Sequence, residues 1–227
     1  MDTLTIIIGN RNYSSWSLRP WLALKQTGAP FSEIVIPLSR PDSKAAIAAH
    51  SPSGRVPVLC HGALRLWESL AICEYLAEIF HGAGLWPADR AARSMARAVA
   101  CEMHAGFATL RQQLPMDIRA THSTPHRVAL AADDIARVTA LWRDCLARFG
   151  AAGANGAGPF LFGGYCIADA MFAPVATRLH SYGVPLDPVA AAYVAAQRDW
   201  PPMREWRAAA EREPWTIDHD LSGTTPG

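Results

Sequence analysis

Two consecutive stretches, Leu4-Thr5-Ile6-Ile7-Ile8 and Asn12-Tyr13-Ser14-Ser15-Trp16-Ser17-Leu18-Arg19-Pro20-Trp21-Leu22-Ala23-Leu24, decide how this chain folds. The first is dominated by β-branched residues and ends at Gly9-Asn10, which predicts a strand. The second passes through three serines into apolar residues at 18, 21, 22 and 24, a helical spacing. Ser14 or Ser15 is a natural N-cap, and Pro20 is expected early enough that its missing N–H has little helical partner to lose. A strand feeding a helix whose open N-terminus carries hydroxyls can hold an anion there, although the same serines also read as an ordinary cap.

Working outward, the first 80 or so residues alternate strand and helix patterns. Phe31–Ile36 reads as a second strand, a crossover length from the first. The Ala-rich segment from Ser43 to Ala49 predicts a short helix. Val56-Pro57-Val58-Leu59-Cys60, the turn His61-Gly62 and Ala63-Leu64-Arg65-Leu66-Trp67 predict a hairpin. Glu68-Ser69 then opens a helix through Leu70, Ile72, Cys73, Leu76 and Ile79. The element order is β-α-β-α-β-β-α.

Beyond Gly82-Ala83-Gly84-Leu85-Trp86-Pro87 the strand signal stops. Residues 89–120 carry one long helical pattern, and Pro125 starts another that runs to Phe149, with Leu130, Ile135, Val138, Leu141, Trp142 and Leu146 on one side. Gly150–Pro159 reads as a flexible loop. Helical patterns return at 167–180, 187–198 and 201–212. The expected organisation is an α/β domain at 1–82, a linker at 83–88 and an all-helical domain at 89–227.

Composition narrows the function. The 227 residues are 50% hydrophobic and 18% charged, with a net charge of +1. That balance gives no reason to expect nucleic acid or an anionic membrane as partner, and no apolar run is long enough to span a bilayer. The N-terminus runs straight into a strand, so no secretory leader is expected. Five scattered cysteines without a Cys-x-x-Cys suit a reducing cytoplasm. His122 and His126 are four apart, but Pro125 separates them and no carboxylate or thiol lies close by, so no metal site is expected.

A proline inside a strand pattern normally counts against the strand. Val56-Pro57-Val58 escapes if Pro57 is cis, because the turned backbone then lets Val56 offer both N–H and C=O to an extended peptide. Eleven residues on, Glu68-Ser69 places a hydroxyl and free N–H groups where a carboxylate can dock. In these features the chain resembles the soluble glutathione transferases, whose fold is a thioredoxin-like βαβαββα domain followed by an all-α helical domain (class α+β). The matching motifs are Ser14, Val56-Pro57, Glu68-Ser69 and, in the second half, Ile167-Ala168-Asp169 within Gly163–Ala170, which is similar to the family's buried capping box. Cys166 stands where the family usually has Ser or Thr. Ser14-Ser15-Trp16-Ser17 is similar to the Ser-Ser-Cys-Ser of zeta-class members, which include maleylacetoacetate isomerases, with Trp16 in place of the cysteine. Without a cysteine near position 14, thiol–disulfide exchange is not expected.

The resemblance implies glutathione as co-substrate, no metal, a small electrophile as second substrate, and a homodimer. It implies that Ser14, with Ser15 next and Ser17 after, activates the thiol. It further implies that Val56, Pro57, Glu68, Ser69, Arg55 and His50 bind glutathione. Glu68 would pair with the γ-glutamyl ammonium and Ser69 with its carboxylate. Ala100, Met103, His104, Phe107 and Arg111 recur at helical spacing and so share one face, and the resemblance implies that Met103, His104, Phe107 and Arg111 line the electrophile site opposite Tyr13 and Trp16. Conjugation, glutathione-dependent cis–trans isomerisation and a non-catalytic binding or assembly module all remain open at this level, although a decayed module predicts damaged glutathione contacts and none is damaged.

Overall fold

The computed structural model describes residues 3–150 and 158–219. Four strands form one mixed sheet: β1 (Leu4–Gly9), β2 (Phe31–Ile36), β3 (Val58–His61) and β4 (Leu64–Trp67), in the order β2-β1-β3-β4. β1 runs parallel to β2, with Leu4 opposite Phe31, and antiparallel to β3, with Ile7 opposite Val58. Being central, β1 is covered on both faces, which is why its sequence is a run of isoleucines rather than an alternation. Ile6 and Ile8 enter the main core, while Ile7 joins Ile36, Ile47 and Val58 in a smaller cluster on the other face.

Helix α1 (Ser15–Gln26) follows β1, α2 (Ser43–Ala48) follows β2, and α3 (Ser69–Ile79) follows β4. The remaining regular elements of the described chain are helical: a 3-10 turn over His81–Ala83, α4 (Arg90–Ala105), α5 (Ala108–Gln113), α6 (Pro125–Leu130), α7 (Ala132–Cys145), a π-helical turn over Leu146–Gly150, α8 (Ile167–Ser181), α9 (Pro188–Asp199) and α10 (Pro201–Glu211). The architecture is therefore a thioredoxin-like mixed sheet with helices, followed by a helical domain. Most of the loop expected at Gly150–Pro159 lies outside the described residues.

Three expectations about helices need correction. The long helix over 89–120 is broken after Ala105. Gly106 passes so close to α4 that an added Cβ would sit 2.8 Å from the Glu102 carbonyl, and Phe107 takes a left-handed φ of 57°. The Asp134 carboxylate of α7 then accepts the Leu110 N–H at 2.8 Å, so a distant element caps α5. The helix over 125–149 is likewise divided at Ala131. Leu130 falls off its expected stripe and is 61% exposed, while Ile135, Val138, Leu141 and Trp142 are buried. Finally, α1 begins at Ser15, so Pro20 lies well inside it and removes the bond its N–H would have made to the Trp16 carbonyl.

Helix α8 is buried on nearly every side, as expected of a core helix that is apolar all round. Its start is a complete capping box despite the thiol: Cys166 Sγ accepts from the Asp169 backbone, and the Asp169 carboxylate accepts the Cys166 N–H at 3.0 Å. Asp169 also accepts from the Leu161 N–H at 3.1 Å and the Tyr193 hydroxyl at 2.9 Å. Complete burial nevertheless outweighs these bonds and pushes its carboxyl up from 3.8 to about 6.

A carboxyl whose folded value exceeds its unfolded value holds a proton that the unfolded chain has already lost. Its stabilising contribution is therefore present below pH 3.8 and disappears as pH rises through about 6. Urea unfolding of Asp169→Asn is expected to lack this slope between those limits. Asp169→Ala, which strands three donors, is expected to lose about 3 kcal/mol or more of stability.

Candidate active site

Beyond the end of β3 nearest α1, the Val56-Pro57 peptide is cis. Trp16, Ser53, Arg55, Val56, Pro57, Glu68 and Ser69 line a cleft of ≈130 Å³ around it. The loop leading in is braced by Ser51, whose hydroxyl donates to the Arg55 carbonyl at 2.6 Å and accepts the Arg55 N–H at 3.1 Å. On the far wall Glu68 has a φ of 68°, a strained value for a residue with a side chain, and Ser69 starts α3 directly after it. The Ser69 hydroxyl is buried without a hydrogen-bond partner. An unpaired hydroxyl at the open end of an 11-residue helix is suited to receive a carboxylate. A larger apolar cavity of ≈590 Å³ lies at the opposite end of the sheet, lined by Leu4, Phe31, His61, Ile79 and neighbours. Convergent polar groups, rather than volume, make the first the candidate site.

The serines of α1 form a small network. Ser14 occupies the N-cap position, yet its hydroxyl donates to Ser17 Oγ at 2.8 Å instead of capping the backbone. Ser17 Oγ also accepts the Gly9 N–H at 3.0 Å, which ties the helix start to the end of β1. Ser15 Oγ accepts from Arg178 Nη2 at 3.2 Å. Ser14 and Ser15 are each 7% exposed and Ser17 is fully buried.

Trp16 projects from the first turn of α1 into a cluster of cations. The Arg19 guanidinium lies 4.1 Å from its ring centre, that of Arg111 lies 5.6 Å away, and His104 meets it edge-on at 5.3 Å. Arg19 and Arg178 are buried in the protein. Burial, then Arg178 and Arg111, pull Arg19 down from 12.5 to about 9, and burial, then Arg111, pulls Arg178 down to about 10. Both remain charged at neutral pH. Arg19 Nε donates to the Met171 carbonyl at 3.2 Å and Arg178 Nε to the Leu114 carbonyl at 2.7 Å, but both terminal nitrogens of Arg19 and one of Arg178 have no partner among the described residues. Buried guanidinium nitrogens without an acceptor create a demand for an anion.

Of the sequence-derived candidates, Trp16, Arg55, Val56, Pro57, Glu68 and Ser69 meet in the cleft, and His104 and Arg111 join Trp16 beside it. Met103 and Phe107 do not fit the electrophile-lining role: they are 0% and 7% exposed and belong to the core. His50, just after α2, is not among the residues lining the cleft, and neither are Ser14 and Ser15, which lie two residues and one residue before its Trp16 wall. Tyr13 turns elsewhere, its hydroxyl accepting from Arg119 at 3.2 Å and its ring meeting His219 edge-on at 5.4 Å. His122, expected to lack a nearby carboxylate, has Asp117 3.6 Å away. Among the described residues no His/Cys/Asp/Glu group could hold a metal ion. Sequence reading missed Ser53, Arg19 and Arg178. For the two arginines a signal existed: each interrupts an otherwise apolar stretch of helix.

His104 faces Trp16, Arg19, Arg111 and Glu68, with its Nε2 3.7 Å from a Glu68 oxygen and its Nδ1 buried without a partner. Burial first, then Arg19 and Arg111, lower its pKa from 6.5, and Glu68 opposes the shift. At neutral pH the ring is therefore uncharged and can both donate and accept a hydrogen bond.

Comparison with known proteins bears on the family and the fold. The family model described as glutathione S-transferase, N-terminal domain, matches residues 13–79. A maleylacetoacetate isomerase of Rhizobium meliloti is 41% identical over 96 residues, which is 40% of this chain and 45% of that protein. The chain thus matches less than half the length of this curated relative. A glutathione transferase homolog from Burkholderia with bound glutathione superposes with a TM-score of 0.68 at 26% identity, over 92% of this chain and 98% of its own. The holo structure of a zeta-class maleyl pyruvate isomerase does so with a TM-score of 0.70 at 25% identity, over 94% and 100%.

NMR titration is expected to place His104 below 6.5. Glu68→Gln should lower the value further and Arg111→Met should raise it, because each substitution removes one of the named charges. A value unmoved by both substitutions would contradict the cluster.

Proposed function

We propose that this chain, a member of the glutathione transferase family, ionises the thiol of glutathione at the N-terminus of α1 and delivers the thiolate to a small electrophile. The observation behind this reading is that the cis Val56-Pro57 peptide, the unpaired Ser69 hydroxyl at the start of α3 and Trp16 of the first turn of α1 share one cleft. Val56 would pair with the cysteinyl backbone, Ser69 with the γ-glutamyl carboxylate, Glu68 with its ammonium, and Arg55 with a further carboxylate.

A free thiol near pKa 8.5 is only about 3% ionised at pH 7. Lowering it by about 2 units needs roughly 2.7 kcal/mol of preferential stabilisation of the thiolate. A charge-assisted bond from a serine hydroxyl contributes about 1.5–3 kcal/mol and the helix N-terminus about 0.3–1. Ser14 is the proposed donor, exchanging its bond to Ser17 for one to the thiolate. Ser15 is the second candidate, its hydroxyl oriented by Arg178. The serine donates a hydrogen bond and is not a nucleophile, so no triad base is needed.

A second reading is favoured by the unpaired nitrogens of Arg19 and Arg178 beside Arg111. They suit an anionic, carboxylate-bearing substrate, and therefore a glutathione-dependent cis–trans isomerisation in which the thiol is regenerated. The similarity to a maleylacetoacetate isomerase and to a maleyl pyruvate isomerase points the same way.

The experiment is glutathione-affinity capture followed by turnover with aryl halides, epoxides, peroxides and maleylacetone, with the glutathione balance measured. Loss of glutathione mole for mole with electrophile supports conjugation, and turnover at constant glutathione supports isomerisation. Ser14→Ala is expected to lower kcat at least about tenfold at nearly unchanged glutathione affinity, and Glu68→Ala to weaken glutathione binding at unchanged Tm. If Ser15→Ala alone lowers kcat, Ser15 is the donor. If the protein neither binds nor turns over glutathione, both readings fail.

A cytoplasmic setting and a homodimer belong to the same proposal. The five cysteines are free, as suits a reducing compartment. In α4, Arg97 is already paired with Glu74 and Arg93 with the Pro87 and Ala88 carbonyls, which leaves Arg90 as the arginine of this helix best placed for a partner subunit. Light scattering at micromolar concentration is expected to give twice the chain mass of 24.6 kDa, and a monomer would overturn the proposal.

A further inference from the structure

The turn over Asn10–Tyr13, which delivers Ser14 to the start of α1, is held by a residue from the far end of the chain. Glu213, two residues after the end of α10, is 8% exposed. Its two carboxylate oxygens accept the consecutive backbone N–H groups of Arg11, at 2.8 Å, and Asn12, at 3.2 Å. Around it, Trp206 Nε1 donates to the Arg11 carbonyl at 2.9 Å. Arg119 donates to the carbonyls of Glu213 at 2.7 Å and Trp215 at 2.8 Å. The Asn12 side chain donates to Asp117 at 2.8 Å and accepts the Arg119 N–H at 2.9 Å. Within the turn itself, the Asn10 carbonyl accepts the Ser14 N–H at 2.8 Å.

We infer that Glu213 is a positioning residue for the thiol-activating serine: its carboxylate clamps the two N–H groups that fix the turn, and the turn fixes where the Ser14 hydroxyl stands. The inference rests on the reading of Ser14 as the thiol donor. The physical reason is that a hydrogen-bond donor accelerates a reaction only when held at the place where charge develops, and small misplacements are expensive. A turn of four residues has too little apolar surface of its own to hold that position. A carboxylate taking two backbone donors from one strand–helix connection supplies a rigid, charge-assisted hold. It also links the C-terminal segment to the chemistry without touching either substrate.

The test uses the full-length protein carrying Glu213→Ala or Glu213→Gln. Amide hydrogen exchange at Arg11 and Asn12 is expected to quicken by about a hundredfold in Glu213→Ala while the amides of β1 stay protected. The ionisation of bound glutathione, followed by thiolate absorbance, should shift to higher pH. Its kcat should fall by about tenfold or more, with the KM for glutathione within about threefold. Glu213→Gln, which keeps one acceptor oxygen, should recover part of each effect. Unchanged exchange at Arg11 and Asn12 overturns the clamp. Faster exchange with wild-type thiol ionisation and kcat overturns the positioning role, even if Tm falls. If the unaltered protein does not ionise glutathione, the functional reading fails on its own, and the exchange measurement still decides whether the clamp exists.

Discussion

Helix α1 is the structural hinge of the molecule, because it is buried from two sides at once. It packs against α3 from the first half of the chain and against α8 from the second. Leu18, Trp21, Leu22, Ala23 and Leu24 are all at or below 1% exposure. Burying a large apolar side chain contributes about 1.5–3 kcal/mol relative to exposure, so both halves are held to this helix by the hydrophobic effect. Its N-terminus must nevertheless stay polar. The start of α1 is where the sheet, the helical domain and the C-terminal segment converge, and the serines there inherit a position fixed by all three.

This arrangement explains how an unfavourable charge cluster survives. Arg19 and Arg178 are both buried, with Arg111 near enough to oppose both, and among the described residues no carboxylate pairs with either. Isolated from the fold, such a group would destabilise the core. The carbonyls of Met171 and Leu114 and the face of Trp16 offset part of the cost. Under the proposed function the unpaired nitrogens would bind an anion, and the His104 ring, its pKa lowered, would sit beside them without adding charge. Stability given up at this point is recovered elsewhere, in the apolar packing of α1 and α8.

Several elements were legible in the sequence because their cause is local. The isoleucine run of β1, the His61-Gly62 turn, the proline in Val56-Pro57-Val58 and the Glu68-Ser69 helix start each depend on backbone preferences of neighbouring residues. The second half was harder. Periodicity alone does not register a break whose cause is distant, so α4 and α5 read as one helix although Gly106, Phe107 and the Asp134 cap separate them. The same limit placed Met103 and Phe107 on a pocket wall, since a helical stripe looks alike whether it faces a cleft or a core. Cys166, standing where the resemblance leads one to expect Ser or Thr, still closes the capping box with Asp169.

The sequence by itself determined the order of strands and helices in the first half, the cis-prone proline and the cluster of hydroxyls at the first helix. These follow from short-range sterics and hydrogen bonding, which act within a few residues. Only the tertiary structure decided which side chains meet. It put Arg178 against Ser15, Arg19 and Arg111 against Trp16, and the Glu213 carboxylate on the Arg11 and Asn12 amides. Charges and buried donors act through space, and the partners here are up to 202 residues apart along the chain. Their pairing exists only after α1 has been enclosed by both halves.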